Sequence, residues 1–238
     1  MKIWLNHTLA CPNDASYPLE LSIFIWESQE DQFAKLIDGY NTKKLYNFRN
    51  EESPLEIETL DSLSLEDIPK KNLSQLHEET GLIHLVKNDK IFCLYDANVI
   101  DPISLHDYMR SYLDMLEEFA IITDNSSIKP ANDAFLIVTH TIYSKIRKFL
   151  GKSTTIPNEI EQIEEFLEPI LQDLLYLNIF LTYFEIEEGI LVCPKCKRWY
   201  PIIKTIPRIY PKTMKREEMD LEFLTKWRKL YPDDVIMD

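Results

Sequence analysis

Two cysteines separated by two residues, Cys193-Pro194-Lys195-Cys196, constrain the fold of this chain more than any other local feature. Thiolates at this spacing lie on one tight turn, from which they can bind one side of a tetrahedral metal ion. Such a pair supplies only half of a four-ligand site. The pattern therefore predicts that a distant segment folds back against residues 193–196.

The segment Cys11-Pro12-Asn13-Asp14 has the same spacing, with a carboxylate in place of the second thiolate. Zinc accepts an aspartate oxygen at nearly the same distance as a histidine nitrogen. We therefore predict a zinc site with Cys11, Asp14, Cys193 and Cys196 as its ligands.

Other arrangements of the same residues stay open. His7 and Cys93 are alternative sources of the fourth ligand. In a metal-free alternative, strand pairing holds the turn and the cysteines are small buried apolar residues. Lys197 favours that alternative slightly, because the residue after such a turn often needs a positive φ, which suits glycine best.

Composition indicates a folded chain and excludes several classes of function. Of 238 residues, 45% are hydrophobic and 28% are charged, which is typical of globular proteins. The net charge of −14 opposes unspecific binding to nucleic acid or to anionic membranes. Only four glycines occur, never two within the span of a phosphate loop, so the usual glycine-rich cradles for ATP, NAD or S-adenosylmethionine are excluded.

The N-terminal residues turn polar too early for a signal peptide, which predicts a cytoplasmic protein. Residues 166–184 are mostly apolar but contain Glu168 and Asp173, so they indicate a buried helix rather than a membrane span.

Hydrophobic periodicity predicts strands near both ends of the chain. Residues 19–26 alternate like a half-buried strand, with residues 2–5 pairing beside it. Residues 82–86 and 91–95 predict a hairpin. Residues 179–186 and 190–192 predict a second hairpin, turning at residues 187–189, which leads into the cysteine pair.

The middle of the chain predicts helices. One begins at Asp101-Pro102, and a second is capped by Asn132 or Asp133 and ends at Gly151. A third begins near residue 157 and is kinked at Pro169, and a last helix covers residues 217–230. Residues 29–75 show a weak pattern, with loops or short helices at residues 47–54 and 61–71.

Both ends of the chain carry a family resemblance. Residues 188–202, EGILVCPKCKRWYPI, are followed by IPRIYP at residues 206–211, and the N-terminal part contributes MK, LAC and YPL at residues 1–2, 9–11 and 17–19. These motifs resemble the multifunctional methyltransferase subunit family, small zinc-binding activators of S-adenosylmethionine-dependent tRNA, rRNA and release-factor methyltransferases. Asp14 replaces a cysteine of that pattern, Lys197 and Thr205 replace glycines, and the central insert is longer.

The resemblance implies an α+β fold with a zinc-ribbon-like antiparallel sheet formed by both termini. It divides the chain into a β module of residues 1–28 plus 179–212, a mainly helical insert of residues 29–178, and a C-terminal helix and tail of residues 213–238. It further implies a non-catalytic subunit that forms a heterodimer with a methyltransferase. The residues that it implies for partner contact are Arg198, Trp199, Ile206, Pro207, Ile209 and Tyr210.

Two alternatives concern the same C-terminal residues. Between Gly189 and Arg216 there are eight basic residues and no acidic one. This patch could serve a stand-alone zinc-ribbon module that binds RNA, or it could be neutralised by the chain's own acidic residues. The apolar residues at 206–210 could instead pack on the helix of residues 217–230.

Overall fold

The computed structural model describes residues 1–45, 55–59, 83–88, 91–96, 98–99, 101, 103–152 and 160–231. They form the predicted α+β fold, with helices and two separate sheets. The strands are β1 (Glu20–Trp26), β2 (Leu55–Thr59), β3 (Ile83–Asn88), β4 (Ile91–Tyr95), β5 (Ile103–Ser104), β6 (Ile122–Asp124), β7 (Ile186–Val192), β8 (Trp199–Ile203) and β9 (Ile206–Pro207). The α-helices are α1 (Glu30–Asn41), α2 (Leu105–Glu118), α3 (Lys129–Leu136), α4 (Tyr143–Lys152), α5 (Ile160–Thr182) and α6 (Glu218–Trp227).

The sheet that joins the two ends of the chain has the order β6-β1-β7-β8-β9. Strand β1 pairs antiparallel with β7, with Leu21 opposite Leu191. Strand β6 comes from the middle of the chain and pairs parallel with β1, which corrects the expectation of a wholly antiparallel sheet built from the termini alone. The ladder therefore brings residues near position 20 next to residues near position 190.

The sheet carries apolar side chains on both faces. Leu21 and Ile23 belong to the large core shared with the helices, whereas Phe24 belongs to a small second core beneath α6. The β1–β7 register shifts between Ile23 and Ile25, so the strict alternation predicted for β1 breaks at a bulge. In the second core the rings of Phe24 and Trp227 stack, with centroids 4.9 Å apart.

The middle of the chain contains more than helices. Strands β2 to β5 form a four-stranded sheet, within which β3 and β4 make the predicted hairpin. Helix α1 lies in a region where the sequence showed a weak pattern, and Gln29 and Gln32 form a capping box at its start. Helix α2 begins later than predicted, because the Ser104 side chain caps it by accepting a hydrogen bond from the backbone N–H of Asp107.

Three predicted boundaries around the terminal sheet were wrong. Residues 3–8 form a 3-10 helix, and only the isolated bridge between Lys2 and Glu185 remains of the predicted first strand. Helix α5 continues to Thr182, so the predicted strand at residues 179–182 is helical. Gly189 lies inside β7 rather than in a turn, and a Cβ there would lie 2.8 Å from the Ser22 carbonyl oxygen of β1.

The single helix predicted between Asn132 or Asp133 and Gly151 consists of α3, a π-helix (Ile137–Ile142) and α4 in direct succession, and both of its predicted ends were wrong. Helix α3 begins at Lys129, with Pro130 in its first turn, so Asn132 and Asp133 lie inside the helix. Gly151 lies within the last turn of α4, which ends at Lys152. Pro169 lies inside α5 as predicted. The segments predicted at residues 47–54 and 61–71 lie outside the described residues, as does Pro157.

The apolar stretch around residues 166–184 belongs to α5, whose Asp173 is buried against α1 and α4. Within the described ranges, no helix has the length and apolarity needed to cross a membrane.

Candidate metal centre and adjoining sheet edge

The C-terminal knuckle, residues 193–196, is the turn that connects β7 with β8. Strand pairing ends at Val192 opposite Trp199, and the backbone N–H of Cys193 donates to the Arg198 carbonyl over 2.9 Å. The N–H of Lys197 donates back to the Cys193 carbonyl over 3.0 Å. Lys197 adopts φ 56°, so the left-handed backbone that often follows such a turn occurs here without glycine, and the lysine no longer favours the metal-free alternative.

The N-terminal knuckle, residues 11–14, repeats this backbone arrangement. The N–H of Cys11 donates to the Ser16 carbonyl over 3.0 Å, and the N–H of Ala15 donates to the Cys11 carbonyl over 2.8 Å. Ala15 has φ 55°, matching the conformation of Lys197. Equal spacing in the sequence therefore corresponds to equal backbone geometry in two segments far apart in the chain.

The two knuckles face each other. The Sγ atoms of Cys11 and Cys196 lie 3.6 Å apart, and the Sγ of Cys193 lies 3.6 Å from each carboxylate oxygen of Asp14. One ligand atom from each of these residues lies within 4.8 Å of the others. Zinc–sulfur bonds of about 2.3 Å place the sulfurs of a tetrahedral site about 3.8 Å apart. The four residues are therefore close enough to hold a metal ion.

A tyrosine and an asparagine support Cys11. The Tyr200 hydroxyl lies 3.1 Å from the Cys11 Sγ and accepts a hydrogen bond of 3.2 Å from the Asn13 side-chain amide. The Asn13 amide oxygen accepts from the backbone N–H of Lys212 over 2.8 Å, which ties the segment after β9 to the N-terminal knuckle. Sequence reasoning assigned no role to Tyr200, although this residue lies within the motif of residues 188–202.

The ligand groups differ in how readily they ionise. The backbone N–H of Ser16 lowers the pKa of the Asp14 carboxyl, which favours the carboxylate. Burial opposes ionisation of Cys11, but hydrogen bonds from Tyr200 and from nearby backbone N–H groups lower its pKa. Burial, with a further contribution from Cys193 and Cys11, raises the pKa of Cys196 to about 12. A cation bound among these groups would compensate the negative charge that disfavours the Cys196 thiolate.

Neither alternative ligand belongs to this group in the part of the chain that the structure describes. The Nδ1 of His7 lies 2.6 Å from a carboxylate oxygen of Glu118 on α2. Cys93 is buried in β4 of the second sheet, where burial raises its pKa.

The residues predicted for partner contact divide into two sets. Ile206 is 63% exposed on β9, at one edge of the terminal sheet, and Pro207, Ile209 and Tyr210 are partly exposed beside it. Arg198 and Trp199 are buried, and the Trp199 ring packs in the small core under α6. The exposed part of the predicted surface is therefore the segment 206–210.

A family model described as "Trm112p-like protein" matches residues 5–204. The chain belongs to the Trm112p-like family. This assignment confirms the resemblance read from the two ends of the chain, and the match also includes the central insert. At the level of the Trm112p-like family, the chain is a methyltransferase-activating subunit. Neither a curated protein nor a solved structure matches it.

The positions at which this Trm112p-like chain departs from the expected glycines keep a glycine-like backbone. Lys197 has φ 56° and Thr205 has φ 66°, both in the left-handed region. The turn geometry is thus retained with side chains that adopt it at some cost in free energy.

Proposed function

We propose that this chain is the non-catalytic activating and stabilising subunit of an S-adenosylmethionine-dependent methyltransferase that acts on tRNA, rRNA or a translation factor. The partner supplies the cofactor site and the chemistry. The docking unit is the β module of residues 1–28 plus 179–212, here named the terminal module. Residues 29–178 are the insert, and residues 213–238 are the C-terminal helix and tail, of which the described helix α6 covers the second face of the module.

In this proposal Cys11, Asp14, Cys193 and Cys196 hold a structural zinc ion. Structural zinc sites have four protein ligands and no open position, and three thiolates with one carboxylate fit that description. The ion would contribute folding free energy by joining the two knuckles, without taking part in methyl transfer. The matching backbone of the two knuckles supports this assignment, since each presents its ligands from the same type of turn.

The single observation that carries the docking proposal is the exposed edge strand β9. The outer carbonyls of β8 already have partners: Pro201 accepts from the Arg208 N–H over 2.9 Å, and Trp199 accepts from the Arg216 guanidinium over 2.7 Å. A partner strand would therefore add along the outer side of β9, next to Ile206. Such pairing satisfies backbone groups on both chains and covers apolar surface that favours aggregation.

Purification of the tagged full-length chain from native lysate, followed by mass spectrometry, tests this function. We expect one methyltransferase at equal stoichiometry, and we expect the complex to transfer methyl groups faster than the methyltransferase alone. Recovery of the chain by itself under gentle conditions, with no methyltransferase enriched, would contradict the proposal.

A further inference from the structure

The cluster of potential ligands contains an odd number of thiols. Cys11, Cys193 and Cys196 contribute three sulfurs, and Asp14 contributes a carboxylate as the fourth group. Two sulfurs can join in a disulfide, whereas a carboxylate cannot take part in one. Oxidation of the cluster to a disulfide would therefore leave one thiol unpaired. Which two sulfurs pair depends on their exposure and on their contacts.

Cys196 is the thiol that an oxidant in solution reaches first. It is half-buried, whereas Cys11, Cys193 and Cys93 are buried. It follows the exposed Lys195 in the turn of the C-terminal knuckle. Oxidation of a cysteine depends on its exposure and on its thiolate character, and a cysteine that binds a metal ion does so as the thiolate. A small oxidant would therefore react at Cys196 before the other cysteines.

A second sulfur lies in contact with Cys196. The Sγ of Cys11 is 3.6 Å away, which is a van der Waals contact between sulfurs. The Tyr200 hydroxyl, 3.1 Å from the Cys11 Sγ, and the Asn13 amide nitrogen, 3.8 Å from it, hold the Cys11 side chain in this position. A disulfide bond of about 2.05 Å requires the two sulfurs to approach by about 1.5 Å. Cys11 and Cys196 are therefore close enough to pair after a small movement of their side chains.

Cys193 is placed differently. Its Sγ lies 3.6 Å from each carboxylate oxygen of Asp14. It also accepts a hydrogen bond of 3.4 Å from the backbone N–H of Cys196. These contacts direct the sulfur toward a carboxylate and toward the backbone of its own knuckle. Cys193 is therefore the thiol that we expect to remain when the other two pair.

We propose that Cys196 is an oxidation site for hydrogen peroxide and that Cys11 converts the oxidised sulfur into a disulfide between the two knuckles. The Cys196 thiolate attacks one peroxide oxygen, the O–O bond breaks, and a sulfenic acid and hydroxide form. The Cys11 sulfur then attacks the sulfenic sulfur, so that the S–S bond forms and the S–O bond breaks. The Cys11 proton leaves with this second hydroxide as water, and the first hydroxide takes a proton from solvent. The two sulfurs lose two electrons, which reduce one peroxide to two waters.

This disulfide would connect the same two knuckles as the proposed ion. Cys11 and Cys196 are two of the four proposed ligands, so an ion held by the cluster would be released when they pair. The cross-link closes a loop of most of the chain, which favours the folded state by restricting the unfolded one. Metal release rests on the proposed function, whereas the pairing of the two sulfurs does not.

The test treats the purified full-length chain with a small excess of hydrogen peroxide, alkylates the remaining thiols and maps the cysteine peptides by mass spectrometry. Free thiols should fall from four to two per chain. Cys11 should be linked to Cys196. Cys93→Ser is the matched control and should form the same disulfide at the same rate. In Cys11→Ser, the Cys196 sulfenic acid should persist about tenfold longer and react with dimedone.

The pairing can fail in distinct ways. A disulfide between Cys193 and Cys196 in the unaltered chain, or one between two chains, would overturn it. Oxidation of Cys93 as fast as that of Cys196 would overturn the assignment of the oxidation site. Asp14→Cys places a fourth thiol opposite Cys193, so peroxide should then consume all four thiols of the cluster. Loss of only two thiols in this variant would contradict the placement of Cys193.

A zinc indicator dye and thermal unfolding separate this proposal from the proposed function. In a chain that carries zinc, peroxide should release one ion per chain together with disulfide formation. The oxidised chain should unfold about 5–10 °C above the reduced, zinc-free chain, and equal unfolding temperatures would contradict the connecting role of the disulfide. If the chain carries no zinc but links Cys11 to Cys196, the zinc assignment fails while the oxidation site stands. If zinc is bound and no disulfide forms, the oxidation site fails while the zinc assignment stands.

Discussion

The terminal module and the insert are stabilised in different ways. In the terminal module, β1, β7, β8 and β9 join residues far apart in the chain in one sheet, to which the insert adds β6, and the two knuckles meet at a cluster of four potential ligand groups. In the insert, helices pack around buried apolar side chains, with polar groups hydrogen-bonded among them. Substituting one residue of the cluster should therefore destabilise the whole terminal module. A substitution in the insert should remove only the stability that its own contacts contribute.

Two polar networks illustrate how the insert is held. Buried Asp96 accepts hydrogen bonds from the hydroxyls of Tyr108 and Tyr112 on α2, and from the backbone N–H groups of Asn98 and Val99. Burial, with the charge of Asp96, raises the pKa of both tyrosines. These hydrogen bonds satisfy a carboxylate that would otherwise be costly to bury.

The second network connects α1, α4 and α5. Asp173 accepts from the Tyr40 hydroxyl over 2.5 Å and from the Lys145 ammonium over 3.0 Å. Burial raises the pKa of Tyr40 to about 12, with the hydrogen bond to Asp173 adding to the effect.

The largest expected effect comes from removing a ligand. Cys196→Ser should abolish stoichiometric zinc and lower the free energy of unfolding by about 3–5 kcal/mol, part of the binding free energy of a structural zinc ion. Elemental analysis and urea denaturation measure the two quantities. Cys93→Ser, at a buried thiol of the insert, is the matched control and should keep the zinc. Equal zinc content in both variants would show that Cys196 is not a zinc ligand and would contradict the difference between the two regions.

A smaller effect is expected at the sheet edge. Ile206→Glu should weaken methyltransferase binding by about 2 kcal/mol, because it places a charge in the apolar contact beside β9. Leu136→Glu makes the same change at a side chain that is 50% exposed on α3 of the insert, and it should leave the affinity unchanged. Calorimetric titration of the purified partner checks both. A larger loss of affinity in Leu136→Glu would show that the methyltransferase binds the insert rather than the β9 edge.

Replacing Gly189 and replacing Gly151 by alanine should change the free energy of unfolding in opposite directions. Gly189→Ala should destabilise the chain by about 1–2 kcal/mol, because the added Cβ would lie 2.8 Å from the Ser22 carbonyl oxygen. Gly151→Ala has open space around its Cβ within α4 and should stabilise by about 0.5–1 kcal/mol. Thermal unfolding of both variants measures the difference. A neutral Gly189→Ala would show that β1 and β7 can separate at little cost.

The smallest effect concerns the contact between the two regions at His7 and Glu118. Burial lowers the pKa of His7 below its ordinary 6.5, although Glu118 opposes the shift. The unfolded chain therefore binds the proton more readily, and stability falls as the pH drops below 6.5. His7→Gln should reduce this loss, by less than about 1 kcal/mol. Urea denaturation at several pH values measures it, with His106→Gln at an exposed histidine as the control. An unchanged pH dependence would contradict the assignment.

Sequence reasoning was most successful where short-range chemistry fixes geometry. The shared spacing of residues 11–14 and 193–196 predicted a cluster of Cys11, Asp14, Cys193 and Cys196, and the structure brings these residues together. The left-handed backbone that often follows such a turn also occurs at Lys197, although the lysine at this position had been taken to favour the metal-free alternative. Both depend on local turn geometry and on ligand chemistry, which a few residues determine.

The errors arose where packing overrides local preference. Ile179 and Phe180 favour strands by composition, yet they are helical in α5 because their side chains are buried in the shared core. Gly189 indicated a turn, whereas its role is to allow close approach of β7 to β1. Strand β6 has three residues, too few for any periodic signal.

X-ray absorption at the zinc edge of the purified full-length chain tests most directly whether one ion joins the two ends. The account predicts one zinc per chain, bound by three sulfurs at about 2.3 Å and one oxygen at about 2.0–2.2 Å. In Asp14→Cys the oxygen should be replaced by a fourth sulfur. A chain that folds and binds its methyltransferase without zinc, or a zinc ion with fewer than three sulfur ligands, would contradict the account.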